Sequence, residues 1–238
     1  DAIFWLHLSS DLPVNTVSYK PGGTLASATS FEVKIKGSQA HGSKPWQGAD
    51  PIVAGGQIIN NLQTIVSRNL DLTNEAAVVS IGRFESGIRS NIIPETAYME
   101  GTIRALDYEM RDKIFERLKE IVLNTAKSNR VEAELILGVP YPITFNDLKL
   151  TEQMKETLIR VAGKNNAVLA RASTGAEDFS YFANEVPGFF YRLGGMPNGD
   201  HPNKGFSHHT PDFYVDDKGL LLGVKTMTSL AIDYLKAN

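Results

Sequence analysis

The sequence predicts an α/β protein: part of an α/β domain, interrupted by a complete ferredoxin-like unit ordered β-α-β-β-α-β. Three observations lead there. Between Ser30 and Leu137, runs with a two-residue apolar period alternate with runs at helical spacing, in that order. The flanks, residues 1–29 and 139–238, hold buried-looking strands (IFWLHL, GFFYRLGG) that neither flank completes alone. No linker, internal repeat or low-complexity tract separates the parts.

Within the inserted unit, FEVKIKG (31–37) alternates as a half-exposed strand does. Asp50-Pro51 offers an N-cap followed by proline at the first helical position. Ile52, Val53, Ile58, Ile59, Leu62, Ile65 and Val66 then recur at helical spacing through Arg68. AAVVSIGRFE (76–85) and TAYMEGTIRA (96–105) are the next two strands, joined by SGIRSNIIP. Asp107 caps a second helix whose stripe is Met110, Ile114, Leu118, Ile121 and Val122, and VEAELILG (131–138) closes the unit. In the flanks, helices are expected near Glu152–Gly163 and Asp217–Lys236.

The composition excludes several classes. A chain of 238 residues with 42% apolar content can bury a substantial core. Its formal net charge of −3 gives no basic field for nucleic acid or an anionic membrane. No apolar run approaches the ~20 residues that span a bilayer. With no cysteine, disulfides, thiolate metal sites and thiol catalysis are excluded, which fits a cytoplasmic protein. The opening DAIFWLHLSS lacks an initiator methionine and a signal-peptide pattern, and AIFWLHL reads as a strand already under way. The chain is therefore expected to be the C-terminal portion of a longer protein.

Residues that can carry chemistry are few. His7 ends an apolar strand, a place where α/β sheets present reacting groups; otherwise it is a core histidine bonded to backbone. GFSHHTPDFY (205–214) holds His208 and His209, whose adjacent side chains point apart, so one of them at most faces a given site. His41, among small residues in GSQAHGSKPW, is reachable by another molecule and either polarises a carbonyl or is merely solvated. Asn91 and Arg104 offer an amide and a guanidinium for a substrate carboxylate. In STGAEDFSYF, Glu177 and Asp178 either cap a helix or act as acid, base or ligand.

Five stretches in order are WLHL…PVNTVSYKPGGTLAS, FEVKIKGSQAHGSKPWQGADPI, GRFESGIRSNIIPETAYMEGTIRALD, TGAEDFSYF and HHTPDFYVDD. Together they resemble the metal-dependent amidohydrolases, a family of aminoacylases, hippurate and auxin-amide hydrolases and glutamate carboxypeptidase relatives. The resemblance implies hydrolysis of an amide in N-acyl amino acids or small peptides. It also implies a ferredoxin-like lid that forms a homodimer, and two divalent ions (Zn, Mn, Co or Ni). It marks His7 and His209 as metal ligands, His208 as a packing or solvent-facing residue, and His41 as the lid histidine that stabilises an oxyanion. Asn91, Arg104, Gly175 and Glu177 become substrate-side positions. The family's upstream histidine, Cys/Asp-Gly-His-Asp stretch and Glu-Glu pair are not in this chain. Alone it is not expected to hold the metal pair. The alternative reading is a non-catalytic dimerisation or ligand-binding module.

Overall fold

A computed structural model describes residues 1–202 and 204–238. The strands and helices begin with β1 (Ile3–Pro13), β2 (Val17–Tyr19), β3 (Gly22–Leu25), β4 (Ser27–Lys36), β5 (Ala40–His41) and α1 (Pro51–Thr64). They continue as β6 (Ala77–Ser86), β7 (Ile92–Ile93), β8 (Thr96–Ala105), α2 (Tyr108–Ser128), β9 (Glu132–Leu137) and β10 (Thr144–Asn146). The last are α3 (Leu148–Ala162), β11 (Ala167–Leu169), α4 (Phe179–Ala183), β12 (Gly188–Met196) and α5 (Leu220–Ala237). The chain divides into two compact units. One comprises Asp1–Leu25, Thr144–Ser173 and Glu177–Asn238, the other Ala26–Ile143 and Thr174–Ala176.

The second unit is the ferredoxin-like one. Its four-stranded sheet has the order β6-β8-β4-β9, and every neighbouring pair is antiparallel. Alternation along β4 buries Phe31, Val33 and Ile35 against the helices, while Lys34 and Lys36 face outward. Asp50 accepts hydrogen bonds from the Ile52 and Val53 N–H groups, and Pro51 opens α1. From there Ala54, Ile58 and Leu62 go into the core.

Two details differ from the sequence expectation. Ile52 and Val53 are exposed, because they occupy the first turn beside the buried stripe. The α-helix also ends at Thr64, and Ile65–Asn69 widen into a π-helical turn. The second helix follows its pattern: the Asp107 carboxylate accepts from the Met110 N–H, and Met110, Ile114, Leu118, Ile121 and Val122 are buried.

The first unit has a mixed sheet of order β1-β12-β2-β11, with β1 parallel to β12, β12 antiparallel to β2, and β2 parallel to β11. Its core gathers Val17, Tyr19, Leu150, Met154, Leu158, Phe189, Tyr191, Leu193 and Leu230. The buried Tyr191 hydroxyl lies 2.9 Å from Thr226 Oγ1, tying β12 to α5; burial pushes this phenol up to about 12. The α3 helix starts at Leu148, earlier than its apolar stripe indicates, because Asp147 caps it through the Leu150 N–H. The predicted helix at Asp217 begins as a short 3-10 turn, Asp217–Gly219, before α5.

Candidate functional site

In the first unit, the two-residue alternation of β1 divides its side chains. Phe4, Leu6 and Leu8 pack on the core, so Trp5 and His7 point to the opposite face. There Trp5 stacks on Phe179 of α4 with ring centroids 5.6 Å apart, and the His7 ring lies 6.2 Å from that of Phe190. His7 Nδ1 is 2.7 Å from the Leu8 carbonyl oxygen. A carbonyl only accepts, so Nδ1 carries a hydrogen, and whenever the ring is neutral its lone pair is at Nε2. That nitrogen sits 3.8 Å from Glu177 Oε2. The gap exceeds a hydrogen bond.

Glu177 adjoins α4. Its carbonyl accepts from the Ser180 N–H and hydroxyl, at 3.2 and 2.7 Å, and its Oε1 accepts from the Asp178 N–H at 3.1 Å. The helix-entry bonds to Ser180 therefore use the main chain of Glu177, and its other carboxylate oxygen is left toward His7. Burial, helped by Asp178, raises the Glu177 carboxyl above its usual range, and His7 opposes the shift.

The loop before α5 supplies the adjacent histidines. His208 lies edge-on to His7, ring centroids 5.2 Å apart, and packs on Phe213 at 4.8 Å. Its Nε2 is buried without a hydrogen-bond partner among the described residues. Burial first, then the neighbouring His7, holds its imidazole below the ordinary histidine range. His209 is exposed, with its ring 6.5 Å from that of His208 and its backbone at φ 64°. Of the non-glycine residues in the left-handed region, Asn15 is of a type that tolerates it and Arg130 follows the end of α2. His209, like asparagine, is of a residue type enriched in that region. The structure thus sets His208, which packs on Phe213, beside His7, and leaves His209 exposed next to it.

Arg192, in the predicted strand GFFYRLGG, is a site-side residue that the sequence reading overlooked. It is the cross-strand neighbour of His7 on one side and of Ser18 on the other. A lone cation within an apolar run was the signal. Among the described residues, no group of three or more His, Asp or Glu side chains is placed to hold a metal ion. The donors present make part of a metal cradle at most, since a zinc site takes three or four.

The ferredoxin-like unit carries the other predicted positions. His41 and Asn91 meet at a two-residue ladder, where His41 pairs with Ile92 and the Gly42 N–H donates to the Asn91 carbonyl at 2.8 Å. Arg104 lies near the far end of β8, roughly 27 Å along the strand from Thr96. Its guanidinium is engaged locally, by Thr102 Oγ1 and by the Ile103 carbonyl. Asn91 and Arg104 therefore do not converge within one copy. The Gly175 carbonyl accepts from the Ala26 N–H at 2.9 Å.

Residues 24–130 match the family described as the peptidase dimerisation domain. The chain is 35% identical over 235 residues to the N-acetylcysteine deacetylase of Bacillus subtilis (strain 168), covering 99% of this chain and 59% of that protein. It is 33% identical over 240 residues to the IAA-amino acid hydrolase ILR1-like 2 of Arabidopsis thaliana, covering 99% of this chain and 53% of that protein. Among solved structures it resembles the Bacillus subtilis YXEP protein, a dinuclear metal binding peptidase from the M20 family. The TM-score is 0.77 at 33% identity, over 99% of this chain and 58% of that one. The chain spans less than three fifths of the length of each of these relatives. Its ferredoxin-like unit matches the peptidase dimerisation domain, and nearly the whole chain is similar to part of an M20-family peptidase and of deacetylases and hydrolases.

Proposed function

We propose that this chain is part of a metal-dependent amidohydrolase that cleaves the amide bond of N-acyl amino acids or small peptides. The observation that carries the proposal is the His7 ring. Its Nδ1–H is held by a carbonyl, and its Nε2 lies 3.8 Å from the Glu177 carboxylate. A backbone acceptor on the far nitrogen is how a ligating imidazole is oriented and made more basic. His209, exposed in the same loop with its ring 6.5 Å from that of His208, is assigned as a second donor. When bound, two divalent ions would supply Lewis acidity and an activated water. His7 and His209 would contribute to holding them, and the remaining donors would come from outside the described residues. His41 is assigned to the substrate carbonyl, Asn91 to orienting the substrate, and Gly175 and Glu177 to the lining of the cleft. Arg104, bonded to its own strand, is left without a role inside one copy.

The proposal includes a homodimer formed through the ferredoxin-like unit. Its sheet has two edges of unlike character. The β6 edge is bulged between Ile81 and Arg83 and carries charged Arg83 and Glu85. Such features block edge-to-edge pairing. The β9 edge is regular, with exposed Glu132 and Glu134 toward its start, and its other end adjoins a groove lined by Phe115, Glu116, Lys119, Leu123, Leu135 and Leu137. Leu123 and Leu137 are exposed there. We assign the β9 edge with α2 to the second copy.

The test is hydrolysis by the protein expressed at the full length of its gene, against a panel of N-acetyl and N-benzoyl amino acids. It should lose activity on chelation and regain it with Zn²⁺ or Mn²⁺, and His7→Ala should abolish the recovery. A full panel with no metal-dependent turnover would overturn the assignment.

A further inference from the structure

We infer that Ser43 is a positioning residue that locks His41 into a single tautomer, with the proton on Nε2. The inference deepens the reading of His41 as the group that meets the substrate carbonyl, and in its functional consequence it rests on that reading.

Two groups of Ser43 converge on one atom. The Ser43 N–H donates to His41 Nδ1 at 3.1 Å, and the Ser43 hydroxyl oxygen lies 2.9 Å from the same nitrogen. A backbone N–H can donate and cannot accept, so Nδ1 must offer its lone pair. A neutral imidazole has one N–H, which then resides on Nε2. The hydroxyl hydrogen rotates freely and joins as a second donor to Nδ1.

The surrounding backbone is fixed enough to keep this geometry. Lys44 N–H donates to the His41 carbonyl at 2.7 Å, closing the turn around Ser43. Gly42 abuts the opposite strand so closely that a Cβ there would stand 2.9 Å from the Asn91 carbonyl oxygen. The ring is exposed, so its Nε2–H is open to another molecule.

The chemical consequence is a choice between two roles. With its proton on Nε2, the outer edge of the ring is a hydrogen-bond donor, suited to an amide carbonyl oxygen as negative charge builds on it. With the proton on Nδ1, the outer edge would be a lone pair, suited to taking a proton. Ser43 selects the first. The ligand class that fits is a carbonyl or oxyanion acceptor.

Tautomers are read directly from long-range 1H–15N correlations of the histidine rings, on this chain, without metal or substrate, at a pH where His41 is neutral. We expect the Nε2–H pattern for His41, assigned by His41→Gln. Ser43→Pro, which removes the backbone donor, should reduce the ratio of Nε2–H to Nδ1–H form by about fivefold, the equivalent of the ~1 kcal/mol of one hydrogen bond. Ser43→Ala, which keeps that donor, should retain the Nε2–H form, since the hydroxyl can donate or accept. An Nδ1–H His41 in the unmodified chain, or a ratio that Ser43→Pro leaves unchanged, overturns the inference. The NMR result stands or falls apart from catalysis. A locked tautomer in a protein that hydrolyses no amide would refute the proposed function and keep the role of Ser43.

Discussion

Asn146 and Phe190 are joined by two hydrogen bonds: the Asn146 amide nitrogen donates to the Phe190 carbonyl at 2.8 Å, and the Phe190 N–H donates to Asn146 Oδ1 at 2.6 Å. The same amide nitrogen also reaches the Lys20 carbonyl at 2.9 Å. One fully buried side chain thus stands in for a strand beside β12, the strand that pairs with β1 and His7. Asn146→Ala would strand buried backbone groups without partners. We expect a loss of about 2–4 kcal/mol, read as a lower urea midpoint at unchanged slope. A loss within ±0.5 kcal/mol would show that the strand mimic contributes nothing.

Asp233 joins α5 to α3. The Thr157 hydroxyl donates to it at 2.6 Å and Arg160 at 2.5 Å, and together they hold its carboxyl below the usual range. A carboxyl lowered in the folded state stabilises above its unfolded value near ~3.9 and loses that stabilisation as pH falls through the folded one. Asp233→Asn should therefore destabilise at pH 6 and match the parent near pH 2. The groups are largely solvated, so the difference should stay below ~1 kcal/mol. A gap that persists or grows in acid would contradict the sign.

Arg192 is half-buried, and among the described residues its guanidinium has neither an ion pair nor a hydrogen bond. A charge withdrawn from water without a partner costs stability. Arg192→Met, which keeps the length of the stem, should stabilise this chain by on the order of 1 kcal/mol in thermal melts. A destabilised variant would mean that the arginine has a partner in solution.

The exposed pair Leu123 and Leu137 sits beside the β9 edge. Introducing Leu123→Glu together with Leu137→Lys should turn a dimer into a monomer by light scattering, with helix content unchanged. Equivalent charges added to the bulged β6 edge should leave the mass at twice that of the chain. A monomeric parent would remove the dimer from the proposal.

The order of elements in the ferredoxin-like unit was legible because each element buries one face. Thr96–Ala105 alternates cleanly, and Asp107 both caps α2 and precedes its stripe. What escaped was structure made by distant partners. The β5–β7 ladder is two residues long and has no period of its own. The three- and four-residue strands β2 and β3 are likewise set by their neighbours. In the site, strand alternation located His7, whereas the choice between His208 and His209 depends on the left-handed backbone of a loop that no pattern encodes. Arg192 was visible as a charge in an apolar run, but its position beside His7 follows only from strand register.

Leu25 and Thr144 are paired residues of the β3–β10 ladder, and just beyond them Ala28 and Tyr141 bridge in turn. The stretch from 26 to 143 therefore leaves and rejoins the first unit's chain at neighbouring positions, and Thr174–Ala176 later returns to the second unit once more. Its loss or exchange would require rejoining two neighbouring chain ends and would leave Thr174–Ala176 without the residues they cluster with. A short turn spliced between positions 25 and 144 should bridge that gap without unpicking the sheet that carries His7.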